Sequence, residues 1–239
     1  FLGSLRPNAR VWPENAPPEL RRELSADEAA YLASLDPMGL EHGFPKDLFF
    51  RRDFAEGQMA RDLTLFVDDD GVGYHIYASE ENGVLHISQL SDDYLRPAGR
   101  YVRALPGGFH EAPALMKWRG RYFLFTSHCT GWNPNPGRIS VADSIWGPWT
   151  ELGNPCVGTK RQLDTTFDAQ PTYVQPLAGV PDAYVFMADR WRPRNAIDGR
   201  YVWLPVNLGG AAPSLSWLEE WDLGWFNRPE AGSLPRSLT

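Results

Sequence analysis

The sequence predicts an all-β protein of the β-propeller type, and three observations carry that prediction. Three stretches open alike, each on a side chain that can hydrogen-bond or carry a proton: Asp62 in RDLTLFVDDDG, Glu111 in HEAPALMKWRG and Gln170 in DAQPTYVQPL. Each opening is followed by a second apolar run (YHIYAS from Tyr74, YFLFTS from Tyr122, YVFMAD from Tyr184), a third (VLHISQL, RISVADS, RYVWLPV) and a closing segment rich in Trp, Tyr or Leu. Four short strands recurring at intervals of roughly 40 to 50 residues have the period of propeller blades. The first strand of each blade lines the central channel, so Asp62, Glu111 and Gln170 are expected to face one another.

Taken in order, residues 1–10 (FLGSLRPNAR) read as one strand and its exit turn, the last strand of a blade whose beginning is missing. Residues 11–57 interrupt the repeat as an insertion: Pro13, Pro17 and Pro18 punctuate it. Within it Ser25 and Glu28 form a capping-box pattern that predicts a short helix over about 26–35, ended by Asp36 and Pro37. The first full unit runs from about Ala60 to Leu105, with Asp68 to Gly71 as its first hairpin turn. Three consecutive carboxylates in a tight hairpin cannot all point at one ion, so that turn is not read as a calcium site. The second unit, His110 to Gly153, turns at Arg119-Gly120, and the third, about Thr165 to Leu223, turns near Gly179 to Asp182. Residues 227–239 read as a flexible tail beyond a propeller domain of 1–226.

Composition narrows the function. With 239 residues, 43% apolar and 22% charged, the chain suits one folded unit with a sizeable core. A net charge of −7 and no run of Lys or Arg argue against a nucleic-acid partner. No stretch approaches the roughly 18 to 20 uninterrupted apolar residues of a membrane helix. The sequence begins at Phe1 with neither an initiator Met nor a signal-peptide pattern, so compartment is not encoded directly. Ten Trp, nine Tyr and twelve Phe serve both the packing of twisted sheets and the stacking of sugar rings. Cys129 and Cys156 flank the third and fourth strands of the middle unit and would meet if those strands are adjacent, although spacing alone does not establish a disulfide.

Two carboxylates across a cleft can divide acid and base labour, because burial and a neighbouring charge separate their pKa values. Asp62 and Glu111 are the candidate pair: Ala112-Pro113 fixes an extended strand start after Glu111, and Arg61 is a charge partner for Asp62. The competing reading is that both residues cap strand ends by accepting backbone amides.

The stretches RDLTLFVDDDGVGYHIYASEEN, EAPALMKWRGRYFLFTSHCTGW, VADSIWGPWTELGNPC and DRWRPRNAIDGRYVWLPV resemble glycoside hydrolase family 43, in the branch of exo-β-1,3-galactanases and related galactofuranosidases or arabinofuranosidases. The resemblance runs from Phe1 to about Phe226 and implies a five-bladed β-propeller. About three full blades plus one strand would be present and the first two blades absent. It further implies hydrolysis with inversion by an acid, a carboxylate that adjusts the acid's pKa, and a base that activates water. Glu111 matches the acid and Asp62 the pKa modulator. The usual base, a first-blade Asp, lies outside this chain; in the galactanase-like branch a Gln is proposed in its place, and Gln170 matches that position. An amide is a poor base in its ordinary tautomer, so Gln170 would position water, act as an imidic acid or bind substrate.

Around these, Glu80 and Asn82 follow the second strand of the first unit, and Thr130 and Trp132 occupy the corresponding loop of the next. Asp189, Arg190 and Trp191, with Arg200 across the hairpin, form the matching polar and aromatic set of the third. All are candidate sugar contacts; Trp132 is equally a packing plug, and Asp189-Arg190 equally a structural ion pair. His128 stands where the family pattern often has Gly, and Asp168-Ala169-Gln170 where it often has His-Ser-Gln or Asn-Ser-Gln. No cofactor is required. A calcium ion or ordered water at the propeller axis would have Asp168 beside it, but no ligand cluster in the sequence demonstrates a metal. The partner implied is an oligo- or polysaccharide, which also implies secretion or periplasmic export. The readings that compete with an enzyme are a carbohydrate-binding propeller without turnover, and a partial ring completed by a second copy or a complementary chain.

Overall fold

The computed structural model describes residues 6–227. Most of the strand expected over residues 1–10, and nearly all of the expected tail, lie outside that range; Pro7–Arg10 form turns. The chain divides into two compact units, Phe1–Pro113 with Ala142–Trp149, and Ala114–Val141 with Thr150–Thr239. No helix among the described residues is long and apolar enough to cross a membrane.

The first unit begins with α1 (Ala26–Ser34), within one residue of its expected end. The Ser25 hydroxyl accepts the Glu28 N–H at 3.2 Å and the Glu28 carboxylate accepts the Ser25 N–H at 2.8 Å, so two otherwise unsatisfied amides of the first turn are paired reciprocally. Glu28 also accepts from Arg22 and Arg51, which hold its carboxyl well below the usual range, the Arg51 hydrogen bond contributing most. Ser25→Ala is expected to weaken this helix by about 1 kcal/mol. Hydrogen exchange would show faster loss of protection at the amides of the first turn while the strands are unaffected; uniform protection would mean the cap is redundant. The following α2 (Phe49–Arg52) is no loose excursion, because Phe49 and Phe50 are buried and Trp12 stacks on Phe54 at 3.8 Å. The segment read as an insertion therefore contributes to the unit's core.

Four antiparallel strands follow in consecutive order, β1 (Leu63–Val67), β2 (Gly73–Ser79), β3 (Val84–Leu90) and β4 (Pro97–Ala104). The DDDG turn forms as expected: Asp68 N–H donates to Val72 O at 2.9 Å, the Asp70 carboxylate accepts the Val72 N–H at 3.0 Å, and Gly71 takes the left-handed φ of 82°. Tyr77, Ile76, Leu85, Ile87, Tyr101 and Phe50 are all fully buried.

The second sheet, again four strands in sequence order, comprises β5 (His110–Trp118), β6 (Arg121–His128), β7 (Arg138–Ala142) and β8 (Thr150–Gly153). A two-residue β9 (Cys156–Val157) and α3 (Lys160–Thr165) lead into the third sheet, β10 (Gln170–Pro176), β11 (Tyr184–Arg190) and β12 (Arg200–Pro205). This sheet has three strands where the repeat predicts four. Beyond Pro205 the chain folds back on itself through an Asn207–Ser214 bridge, and β13 (Leu215–Ser216) pairs in parallel with β9 instead. Leu215, fully buried, joins Met116, Phe123, Phe125, Phe186 and Leu204 in the second unit's core. Cys129 and Cys156 are free thiols, so the pairing open from spacing is not made.

Candidate active site

Within the first unit the candidate carboxylates are joined through one backbone group. Asp62 lies just ahead of β1, exposed, and Glu111 is the second residue of β5, partly buried. Asp62 Oδ2 accepts the N–H of Ala112, the residue after Glu111, at 3.2 Å. Asp62 thus accepts a backbone amide, as a capping residue would, but the amide belongs to the strand start that carries Glu111. Ala112 has a φ of 50° ahead of Pro113, where sterics favour extended backbone. Such strain persists only where surrounding contacts hold it, and it gathers at functional sites. Arg61 turns from its expected partner and donates to Glu81 at 2.8 Å.

Asn82 is buried and donates from Nδ2 to Glu111 Oε1 at 2.6 Å. It is delivered by a β2–β3 turn in which Glu80, Glu81 and Asn82 all take positive φ (50°, 57° and 66°). Of the two residues proposed for sugar contact here, Asn82 reaches the candidate acid and Glu80 does not. Glu80 is fully buried: Oε1 accepts from Arg103 Nε at 2.6 Å and His86 Nε2 at 2.8 Å, and Oε2 from Arg103 Nη2 at 2.8 Å. Burial pushes its carboxyl up, but the Arg103 charge and the hydrogen bonds from His86 and Arg103 together hold it below the ordinary value. Glu80 thus forms a buried ion pair with Arg103, and both its carboxylate oxygens have protein donors. Burial holds His86 neutral against the pull of Glu80, so that contact is a neutral N–H donor to a carboxylate.

The second unit carries a cleft of about 290 Å³ lined by Ser127, Trp132, Asp168, Gln170, Asp189 and Trp191 among others. Gln170, the first residue of β10, is fixed at both ends of its amide: Nε2 donates to Ser127 Oγ at 3.0 Å and Oε1 accepts from Trp191 Nε1 at 2.8 Å. The chain reaches it through Thr166, Phe167 and Asp168, all at positive φ (51°, 61°, 58°). Trp132 and Trp191 meet edge to face with centroids 5.4 Å apart, and with 63% and 49% of their surface exposed they offer apolar faces to a sugar ring.

The other candidates divide. Thr130 is exposed, but its hydroxyl donates to Asn133 O and accepts from Asn135 Nδ2, both at 2.6 Å, so it orders the loop that carries Trp132. Arg190 is not paired with Asp189; its guanidinium donates to Phe167 O at 2.9 and 3.0 Å and lies over Trp217. Arg200 pairs with Asp198 at the rim of an adjoining groove. Asp168 accepts from Arg161 at 3.1 Å. Among the described residues no group of three or more His, Cys, Asp or Glu is placed to hold a metal ion. Sequence reading missed Ser127 and Asn135, although Ser127 ends the run YFLFTS at the place Asp189 holds in YVFMAD.

The sequence model described as Glycosyl hydrolases family 43 matches residues 45–204. The chain belongs to that family. Among solved family 43 structures, a β-1,3-galactosidase in complex with galactodeoxynojirimycin shares 44% identity at a TM-score of 0.82, over 91% of this chain and 62% of its own. An exo-β-1,3-galactanase from Clostridium thermocellum shares 37% at a TM-score of 0.60, over 68% of this chain and 34% of its own. A β-D-galactofuranosidase of Aspergillus niger is 30% identical over 128 residues, 49% of this chain and 37% of that protein. This family 43 chain therefore spans less than two thirds of the length of these relatives. The likeness to family 43 structures accords with a propeller class for its sheets.

Proposed function

We propose that this family 43 chain carries catalytic residues of an inverting, exo-acting glycoside hydrolase that removes galactose from β-1,3-linked galactan. The observation that supports it most is the Asp62–Ala112–Glu111–Asn82 arrangement, which positions one carboxylic acid with a second carboxylate bonded to the adjacent backbone. Glu111 is the general acid, its Oε1 accepting from Asn82 and its carboxyl thereby oriented. Asp62 adjusts that acid through its charge. Gln170, its amide orientation set by Ser127 and Trp191, uses its second N–H and second lone pair to hold water or a sugar hydroxyl. The choice of galactose over arabinofuranose follows the printed activities of the relatives, and the five-blade count and an extracellular or periplasmic setting belong to the same proposal.

The test is a product analysis on β-1,3-galactan, galactofuranosides and arabinofuranosides. Monomeric galactose as the sole early product from the galactan is the expected result. Glycan binding with no sugar released would favour the non-catalytic propeller.

A further inference from the structure

The turn that delivers Asn82 to Glu111 is unfavourable by itself. Left-handed backbone disfavours every residue with a β-carbon, so the run Glu80, Glu81, Asn82 persists only where contacts from outside impose it. Glu80 is held by Arg103, and Asn82 meets Glu111. Glu81, between them, keeps its side chain 22% exposed and accepts from two arginines of different segments. Arg52 Nη1 donates to Oε1 at 3.0 Å and Arg61 Nη2 to Oε2 at 2.8 Å.

Each arginine is itself anchored. Arg52 ends α2 and donates through Nε and Nη2 to the buried Asp53 at 2.7 and 2.9 Å. Arg61 is the chain neighbour of Asp62, and both are pinned to β2: Arg61 N–H donates to Ala78 O, and Asp62 O accepts the Ala78 N–H, each at 2.9 Å. The same helix braces the turn a second time. Phe49 stacks on Phe44 at 5.5 Å, and the Phe44 ring lies so close to Gly83 that a β-carbon there would stand 2.2 Å from it. One carboxylate therefore ties α2 to the turn that carries Asn82 and to the strand start that carries Asp62, all within the first unit.

Partly exposed ion pairs contribute little to stability, so a role in holding the fold does not account for this junction. Its geometric leverage is larger, because a misplacement of about 1 Å can cost about 10²-fold in rate. We propose that Glu81 is a positioning residue of the acid centre, fixing Asn82 against Glu111 and Asp62 against the Ala112 amide by bridging Arg52 and Arg61. The proposal rests on the hydrolase reading above. Glu81 acts through Asn82 and Asp62 and transfers no proton.

The experiment compares wild type, Glu81→Ala, Glu81→Gln, Arg61→Met, the Glu81→Ala/Arg61→Met pair and Glu111→Gln in the protein carrying this chain. Glu81→Ala is expected to lose about 10-fold in kcat on a galactan oligosaccharide with KM little changed. The loss on a 4-nitrophenyl galactoside, whose leaving group needs no proton, should be clearly smaller. Gln keeps one acceptor oxygen and can hold only one arginine, so its loss should be intermediate. The double variant should be no worse than Glu81→Ala, since both changes break the same bridge. Thermal unfolding of the Glu81 and Arg61 variants should be little changed. Independently of turnover, the side-chain amide resonances of Asn82 should shift in Glu81→Ala. Unchanged kcat, equal losses on the two substrates, additive losses in the pair, a large fall in thermal stability, or Asn82 resonances that stay in place overturn the assignment. Turnover that survives Glu111→Gln contradicts the hydrolase reading instead, and the Asn82 resonances then decide by themselves whether Glu81 sets the turn.

Discussion

Glu111→Gln is expected to reduce turnover of a natural galactan oligosaccharide by about 10²- to 10⁴-fold, the usual contribution of a general acid. The substitution keeps the shape of the side chain and an oxygen to accept from Asn82, so the 2.6 Å contact and the strand start survive while the transferable proton does not. Sugar binding should therefore persist. A 4-nitrophenyl galactoside, whose leaving group departs without protonation, should be hydrolysed with a far smaller loss. Comparing kcat on the two substrates is the check: equal losses would mean that the variant has damaged the site rather than removed an acid.

The largest expected effect on stability comes from Arg103. Arg103→Met leaves Glu80 as a fully buried carboxylate beside a neutral His86, and breaking a buried pair on one side costs about 3 to 5 kcal/mol. The arginine does more than pair, since it also donates to the carbonyl of Lys46 and lies 4.3 Å above the Phe50 ring. Denaturant unfolding should show the full loss in the single variant and a clearly smaller one when Glu80→Gln is added, because the uncompensated charge is then gone. Equal losses in the two would place the cost in packing instead. The pH dependence follows from the same pair. Glu80 has a folded pKa below its unfolded value, so its contribution is present above about pH 4.3, the usual glutamate value, and is lost as pH falls towards the folded pKa. Wild type should therefore lose stability through that acid range, and Glu80→Gln should lose less.

Local chemistry was legible in the sequence and long-range chemistry was not. The Ser25–Glu28 capping box and the DDDG hairpin are written within a few residues, and the helix and turn appear where those residues put them. The same kind of box at Thr159 and Gln162, which starts α3, went unread because the helix is only six residues long and lies between strands. The fourth strand of the third unit followed from counting apolar runs, but Pro205 and the Asn207–Ser214 bridge send that segment to β9. Glu80 stands beside Asn82 in sequence and was grouped with it. Its fate is decided by Arg103, which lies across the sheet on β4, a partnership no local pattern announces. Arg190 likewise departs from Asp189 for a carbonyl created by the left-handed run at Thr166 to Asp168.

Asp62, Glu111 and Gln170 were singled out by the repeat itself, and the structure adds their neighbours: Asn82 on the Glu111 carboxyl, Ser127 and Trp191 on the Gln170 amide. The most direct measurement is a proton NMR time course of β-1,3-galactotriose hydrolysis by the protein carrying this chain. The account predicts that galactose leaves one unit at a time and appears first as the α-anomer, with β-galactose arising only by later mutarotation. First release of the β-anomer, internal cleavage of the trisaccharide, or binding with no release would contradict it.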